Sequence, residues 1–275
     1  MHTESDNGDS SLHFIPPILR DDNMKCKING KEMIDVIESV LLKGKWNNGV
    51  NNKSSILCPS IVISVDETQV SVYNANPSTF VSNTIDTIEI ENHKTGKFAI
   101  DSEILLKYLP KEECIFQLKD NIFQLISERK TVNLPILERH ENNDSIIFVQ
   151  KNLEVTRDIN TPVVISTRTS LSTRVKVSSK ELVLALEDCE AVGNSVFKLH
   201  YDGEQLNLSS SNGTESVKVI VEPIESVGDE AVMEFSAPIH KYLNGVATTL
   251  SFGDETPLSI ISGNLKVLRA PRIEA

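Results

Sequence analysis

The sequence predicts an α+β protein built from one domain used twice, each copy antiparallel sheet with two short helices on one side. Three observations carry this. A strand running into a short helix occurs as Phe98-Ala-Ile-Asp-Ser-Glu-Ile-Leu-Leu-Lys-Tyr-Leu109 and again as Met233-Glu-Phe-Ser-Ala-Pro-Ile-His-Lys-Tyr-Leu243. Upstream of each, a second motif repeats: Met24-Lys-Cys-Lys-Ile-Asn-Gly-Lys-Glu32 and Thr173-Arg-Val-Lys-Val-Ser-Ser-Lys-Glu181. Both halves then show one order of patterns, strand, helix, strands, helix and three strands. Two matched motifs in the same order point to duplication, which constrains the fold more than local propensity does. Two short helices cannot cover both faces of so many strands, so each half is an antiparallel sheet array with its helices on one side.

In the first half, strand 24–29 ends on Asn29, a residue suited to capping helix 31–43. Lys31 and Lys180 are offset by 149 residues and Lys107 and Lys241 by 134; the difference of 15 falls in an Asn-rich insertion near 46–55. Strands follow near 60–65, 69–74, 79–90 and 95–100. Asp101 then caps helix 102–109, which carries Ile104, Leu105, Tyr108 and Leu109 at helical spacing before Pro110 stops it. Strands near 113–119, 121–128 and 130–137 complete this half, with turns at Asp120-Asn121 and Glu128-Arg129-Lys130. The second half reads as strand 172–178, helix 179–191, strands near 195–201, 205–209, 214–222 and 231–235, and helix 237–246 with Ser236 as its polar start. Strands 248–252, 257–262 and 264–269 end it, with turn chemistry at Gly253-Asp254 and Ser262-Gly263-Asn264. The predicted organisation is a flexible tail over 1–22, a first domain over 23–137, a connector over 138–171 and a second domain over 172–275. The tail carries a short apolar patch from Phe14 to Leu19 that offers a docking alternative. The connector holds two apolar runs, 145–150 and 162–167, that fit a hairpin.

The chain has 275 residues, 39% hydrophobic and only 5% aromatic, so Val, Ile and Leu must build the core. The cysteines Cys26, Cys58, Cys114 and Cys189 lie in or beside apolar runs without metal-ligand spacing, which predicts buried thiols. No basic-then-apolar leader opens the sequence and no run approaches 18 apolar residues, so an intracellular location without a membrane span is expected. The net charge of −12 opposes wholesale nucleic-acid binding but leaves room for a small basic surface. The motifs of serine hydrolases, P-loop enzymes, dinucleotide-binding folds and zinc proteases are absent, and the six histidines are dispersed. Nothing assembles a nucleophile with a base, so no catalytic residue, metal ligand or cofactor is assigned, and the expectation is a non-enzyme. The acidic run Glu187, Asp188 and Glu190 reads as a solvated helix face.

The C-terminal residues carry a resemblance. Thr256-Pro-Leu-Ser-Ile260 and Gly263-Asn-Leu-Lys-Val-Leu-Arg-Ala-Pro-Arg-Ile-Glu274 are similar to the last two strands and the ending of DNA sliding clamps of the proliferating-cell-nuclear-antigen type. Phe235 through Leu243 resembles the segment bearing that family's Tyr-Leu pair, and Ser178-Ser-Lys-Glu-Leu182 the opening of its second domain. The resemblance runs over 24–275 and is fullest over 172–275.

It implies a head-to-tail homotrimeric ring, with sheets outside and helices lining the hole. Strand 130–137 would pair with strand 214–221 of a neighbour, closing edges that otherwise invite aggregation. It implies double-stranded DNA through the ring, held non-specifically by Lys31, Lys43, Lys107, Lys111, Lys180 and Lys241. It implies a clamp loader, and a polymerase and other clients docked by short peptide motifs. Their groove would be walled by Pro257, Leu268, Ala270, Pro271 and Ile273, with Ile146 and Ile147 from the connector. Location would be cytoplasmic in a prokaryote or a virus-infected cell and nuclear in a eukaryote. One departure favours another outcome. Six lysines on the lining segments face Glu32, Asp35, Glu38, Glu103, Glu181, Glu187, Asp188 and Glu190, an acidic balance for a phosphate-lined hole, and Leu184 and Glu187 stand where the family often has basic residues. The alternative is a scaffold of this fold, or one subunit of a mixed ring, that gathers partners without encircling DNA.

Overall fold

The computed structural model describes residues 23–45, 54–56, 59–76, 78–91, 96–119, 122–137, 163–166, 169–236 and 239–272. In the first half, β1 (Asn23–Asn29) leads into α1 (Gly30–Val40), and β2 (Lys43–Lys45) pairs with β3 (Ser54–Ile56). Then come β4 (Ser60–Val65), β5 (Gln69–Asn76), β6 (Thr79–Asp86), β7 (Glu89–Ile90), β8 (Gly96–Asp101), α2 (Ser102–Tyr108), β9 (Glu113–Lys119), β10 (Ile122–Ile126) and β11 (Thr131–Pro135). Between the halves, β12 (Val163–Ser166) and β13 (Thr169–Leu171) form a hairpin. The second half holds β14 (Thr173–Ser178), α3 (Ser179–Glu190), β15 (Val196–Tyr201), β16 (Leu206–Ser211), β17 (Ser216–Val221), β18 (Pro223–Val227) and β19 (Ala231–Ser236). It ends with a single 3-10 turn (His240–Tyr242), β20 (Ala247–Phe252), β21 (Leu258–Ser262) and β22 (Leu265–Arg269).

Among the described residues all the strand pairings are antiparallel, and the duplication is visible in their order. The first half contributes β11-β10-β9-β1-β7 and β6-β5-β4-β8; the second contributes β22-β21-β20-β14-β18 and β17-β16-β15-β19. The two sets correspond strand for strand. Starting from Asn29 with Ser178 and Asp101 with Ser236, the pairings match Phe116 to Leu250, Leu125 to Ile260, Val72 to Leu208 and Val81 to Val217.

Helix starts follow the polar residues that the sequence supplies. Asn29 Oδ1 accepts from Glu32 N at 3.1 Å, and Asp101 Oδ1 accepts from Glu103 N at 2.8 Å and Ile104 N at 3.0 Å. Ser178 Oγ accepts from Glu181 N at 3.4 Å. Each satisfies a donor that the first helical turn leaves open. The fourth helix departs from expectation: the span 237–246 yields one 3-10 turn without a side-chain cap. Where Asp101 finds a donor two residues on, Ser236 is followed by Pro238, which has no N–H. The first helix ends at Val40, short of 43, because Leu41 turns to extended backbone and Leu41 and Leu42 are buried. The predicted strand 79–90 is interrupted at Thr87, whose amide donates to Thr68 O, so its end crosses to pair with β1 as β7.

α1 packs over β6 and β5, and α3 over β17 and β16. One core runs through both halves, from Met24, Ile28, Phe116 and Phe123 to Leu199, Phe235 and Phe252. Phe123 stacks on Phe98 at 4.8 Å and meets Phe116 edge-on at 4.9 Å, two favoured geometries for buried rings. Cys26, Cys114 and Cys189 are buried free thiols. Burial pushes Cys26 and Cys114 up to about 12 and Cys189 to about 11.

Candidate partner and DNA surfaces

The two halves join by sheet. β22 of the second half pairs with β6 of the first, with Lys266 opposite Ser82, Val267 opposite Val81, Leu268 opposite Phe80 and Arg269 opposite Thr79. Nine strands thereby form one sheet across the junction. The chain end reinforces it: Ala270 N donates to Ser78 O at 2.9 Å and Arg272 N to Glu234 O at 2.8 Å. Arg269 donates to Thr79 Oγ1 and, at 2.6 Å, to Ser236 O. The strands that correspond to β22 and β6 are β11 and β17, and both end their sheets as open edges among the described residues.

A second apolar cluster sits on the opposite face of this sheet from the core. It gathers Val62, Tyr73, Ala75, Phe80 and Ala99 from the first half and Leu268 from the second, with Leu137 packed against it. Leu137 N donates to Ala99 O at 2.9 Å, which brings the end of the first domain onto the patch. Burial raises the Tyr73 phenol above its ordinary value, and Lys97 Nζ lies 5.5 Å from the ring centre. The corresponding residues of the second half are Lys198, Ser209, Ser211, Ser216 and Glu234, and that face is a polar hollow of about 350 Å³ reached by Arg272. The same framework therefore folds with either character at these positions, so the sheet alone does not require apolar residues there.

The sequence places only Leu268 inside this cluster. Ala270 and Pro271 follow it, half-buried, and Pro257 is half-buried just before β21. Ile146, Ile147 and Ile273 lie outside the described residues. Val62, Tyr73, Phe80 and Ala99 escaped the sequence reading because outward apolar residues on a strand look like core. Comparing the halves position by position, Tyr73 with Ser209 or Ala99 with Glu234, supplies the missing signal.

The candidate lysines fall at matching places. Lys31 and Lys180 are exposed in the first turns of α1 and α3, just after the capping residues. Lys111 is exposed on the turn whose carbonyl accepts from Lys31 N at 3.1 Å, and Lys43 opens β2. Lys107 and Lys241 each lie over the following tyrosine, at 5.3 and 4.6 Å from its centre. Lys241 Nζ also donates to Leu41 O at 3.1 Å, bridging the halves. The eight helix carboxylates named from the sequence are all exposed. Among the described residues no group of three or more His, Cys, Asp or Glu is placed to hold a metal ion, and no helix is long and apolar enough to cross a membrane.

No protein-family model matches the chain. Solved structures do. The DNA polymerase III β subunit of Thermotoga maritima superposes with a TM-score of 0.68 at 14% identity, over 96% of this chain and 69% of that one. A. fulgidus PCNA, solved with the C-terminal region of FEN-1, gives 0.63 at 14%, over 92% and 99%. A chain of the PCNA2–PCNA3 complex of Sulfolobus tokodaii gives 0.59 at 15%, over 91% and 100%. With its duplicated sheets, short helices and sheet-to-sheet junction, this chain has the fold of the DNA sliding clamps, in a diverged form.

Proposed function

We propose that this protein is a DNA sliding clamp: a non-enzymatic processivity factor that closes into a ring of three copies around duplex DNA and tethers a polymerase and other clients. The open edges β11 and β17 support this most directly, because they match the two strands that already pair inside the chain. Transferring the internal register to them sets Thr131 opposite Lys218 of the next copy, Val132 opposite Val217, Asn133 opposite Ser216 and Leu134 opposite Glu215. A contact between different edges of identical copies extends head to tail and closes if the rotation per copy fits. A closed ring holds DNA by linkage, so weak phosphate contacts suffice and permit sliding. Lys31, Lys111 and Lys180, with Lys43, are suited to that role. Clients dock as short peptides on the apolar patch around Tyr73, Phe80 and Leu268, walled by Ala270 and Pro271. The clamp solved with the C-terminal region of FEN-1 supports that mode of client binding. A clamp loader in an intracellular setting completes the reading.

The acidic helix faces favour a second reading, one subunit of a mixed ring or a scaffold that does not encircle DNA, and the PCNA2–PCNA3 complex gives it a precedent in the fold. Light scattering across a concentration series separates the two. A stable species near three times 30.5 kDa, retained on circular DNA and released when that DNA is cut, supports the clamp. A monomer at every concentration removes the homotrimer.

A further inference from the structure

We propose that Lys107 is a subunit-junction residue whose ammonium seats on the C-terminal turn of α3 in the next copy of the chain, at Glu190 with Glu187 and Asp188 beside it. The proposal rests on the ring reading above. Its template is inside the molecule. The last turn of α1 has no basic residue, and the carbonyls there form the negative end of the helix. Lys241 supplies the missing cation from the other half, reaching Leu41 O at 3.1 Å across the β22–β6 junction.

Lys107 is the counterpart of Lys241. Each precedes a Tyr-Leu pair and each Nζ lies over the tyrosine that follows. α3 is the counterpart of α1, and counting from Asn29 and Ser178, Leu41 corresponds to Glu190. The last turn of α3 also has no basic residue. Instead it holds Glu187, Asp188 and Glu190, all exposed, at the end of the helix where negative charge is least favourable. Within the chain Glu190 has His240 Nδ1 at 3.6 Å. α3 lies over β17, one open edge, and α2 lies beside β11, the other. Laying the internal junction onto these edges brings Lys107 to the three carboxylates. The partner is thus a second copy of this chain, and the acidic run, ill suited to phosphate, gains a use in charge-assisted contact.

Sedimentation equilibrium of the full chain tests this. Lys107→Glu should weaken self-association about tenfold or more, and adding Glu187→Lys with Glu190→Lys to the same chain should restore it. Circular dichroism and the unfolding midpoint of each variant should match the wild type, since all three positions are exposed. Unchanged association of Lys107→Glu overturns the proposal and leaves the ring standing, with Lys107 free to serve DNA. Weakening without rescue overturns the assignment to α3. A wild type that never associates overturns the ring and this proposal together.

Discussion

Arg269 and Thr79 join the two halves of the chain side chain to side chain, the guanidinium donating to Thr79 Oγ1 while its other terminal nitrogen reaches Ser236 O at 2.6 Å. Burial lowers the Arg269 pKa from its ordinary value. Arg269→Met keeps the stem and deletes the donors, leaving the Ser236 carbonyl without this bond. It should cost about 1.5–3 kcal/mol of stability in denaturant unfolding, and Thr79→Val should cost less. Equal, negligible losses would show that the sheet alone holds the junction.

The patch around Tyr73 should be separable from folding. Ala99→Glu and Tyr73→Ser install residues that the second half already carries at the matching positions, Glu234 and Ser209. Both variants should fold, yet affinity for client peptides should fall by about tenfold to a hundredfold, the worth of one buried aromatic or one unpaired charge. Pro271→Asp should act in the same direction. Isothermal titration with a client-derived peptide reads the effect, and unchanged affinity would place the groove elsewhere.

The register of the open edges is testable by cross-linking. Asn133→Cys with Ser216→Cys should oxidise into covalent multimers, because the transferred register sets these two exposed positions opposite each other. Moving the second cysteine to Lys218 should cut the yield sharply. Equal yields would mean that the edges do not meet in this register.

Alkali should destabilise the protein through its buried thiols. Cys26 and Cys114 move from 9.0 to about 12 and Cys189 to about 11, with desolvation as the main cause in each. The folded chain then keeps protons that the unfolded chain releases. The stabilisation is complete below pH 9 and is lost as pH rises toward 12. The unfolding midpoint should decline over that window, and these three thiols should resist alkylation at pH 8 until the chain unfolds.

Gly30 allows the start of α1 to press against the 110–112 turn. A Cβ there would stand 2.1 Å from Pro110 O and 2.5 Å from Glu112 O, both backbone atoms. Gly30→Ala should therefore lower stability by about 1–3 kcal/mol, against the usual gain in helix propensity from such a change. A neutral result in thermal unfolding would mean that the turn yields.

The repeat was legible because its marks are local. Asn29, Asp101 and Ser178 accept from the backbone amides two or three residues on, and such caps recur wherever the chain reuses the same turn. Strand β18 was not, since its exposed residues Ile224 to Val227 lack a buried face to set a period. Neither was the pairing of Val267 with Val81, which links strands far apart in sequence and leaves no pattern in either. The helix predicted from Ile239, Tyr242 and Leu243 had its buried residues right and its backbone wrong, since apolar spacing records which side chains go inside but not whether amide donors survive at Pro238. Lys241 reads in the sequence as a candidate DNA contact because nothing local announces that the Leu41 carbonyl, 200 residues away, accepts from it.

The chain end gives the proposed ring a preferred place to part. At the internal junction Ala270 N donates to Ser78 O, and Arg269 clasps Thr79 and Ser236. The positions that correspond on β11 are Pro135, which has no amide hydrogen, and Leu134, whose side chain has no donor. Seams between copies therefore lack the two fastenings that hold the seam within each copy. In the proposed ring, one proline and one leucine would set the seam that parts first, between neighbours and with every chain left intact.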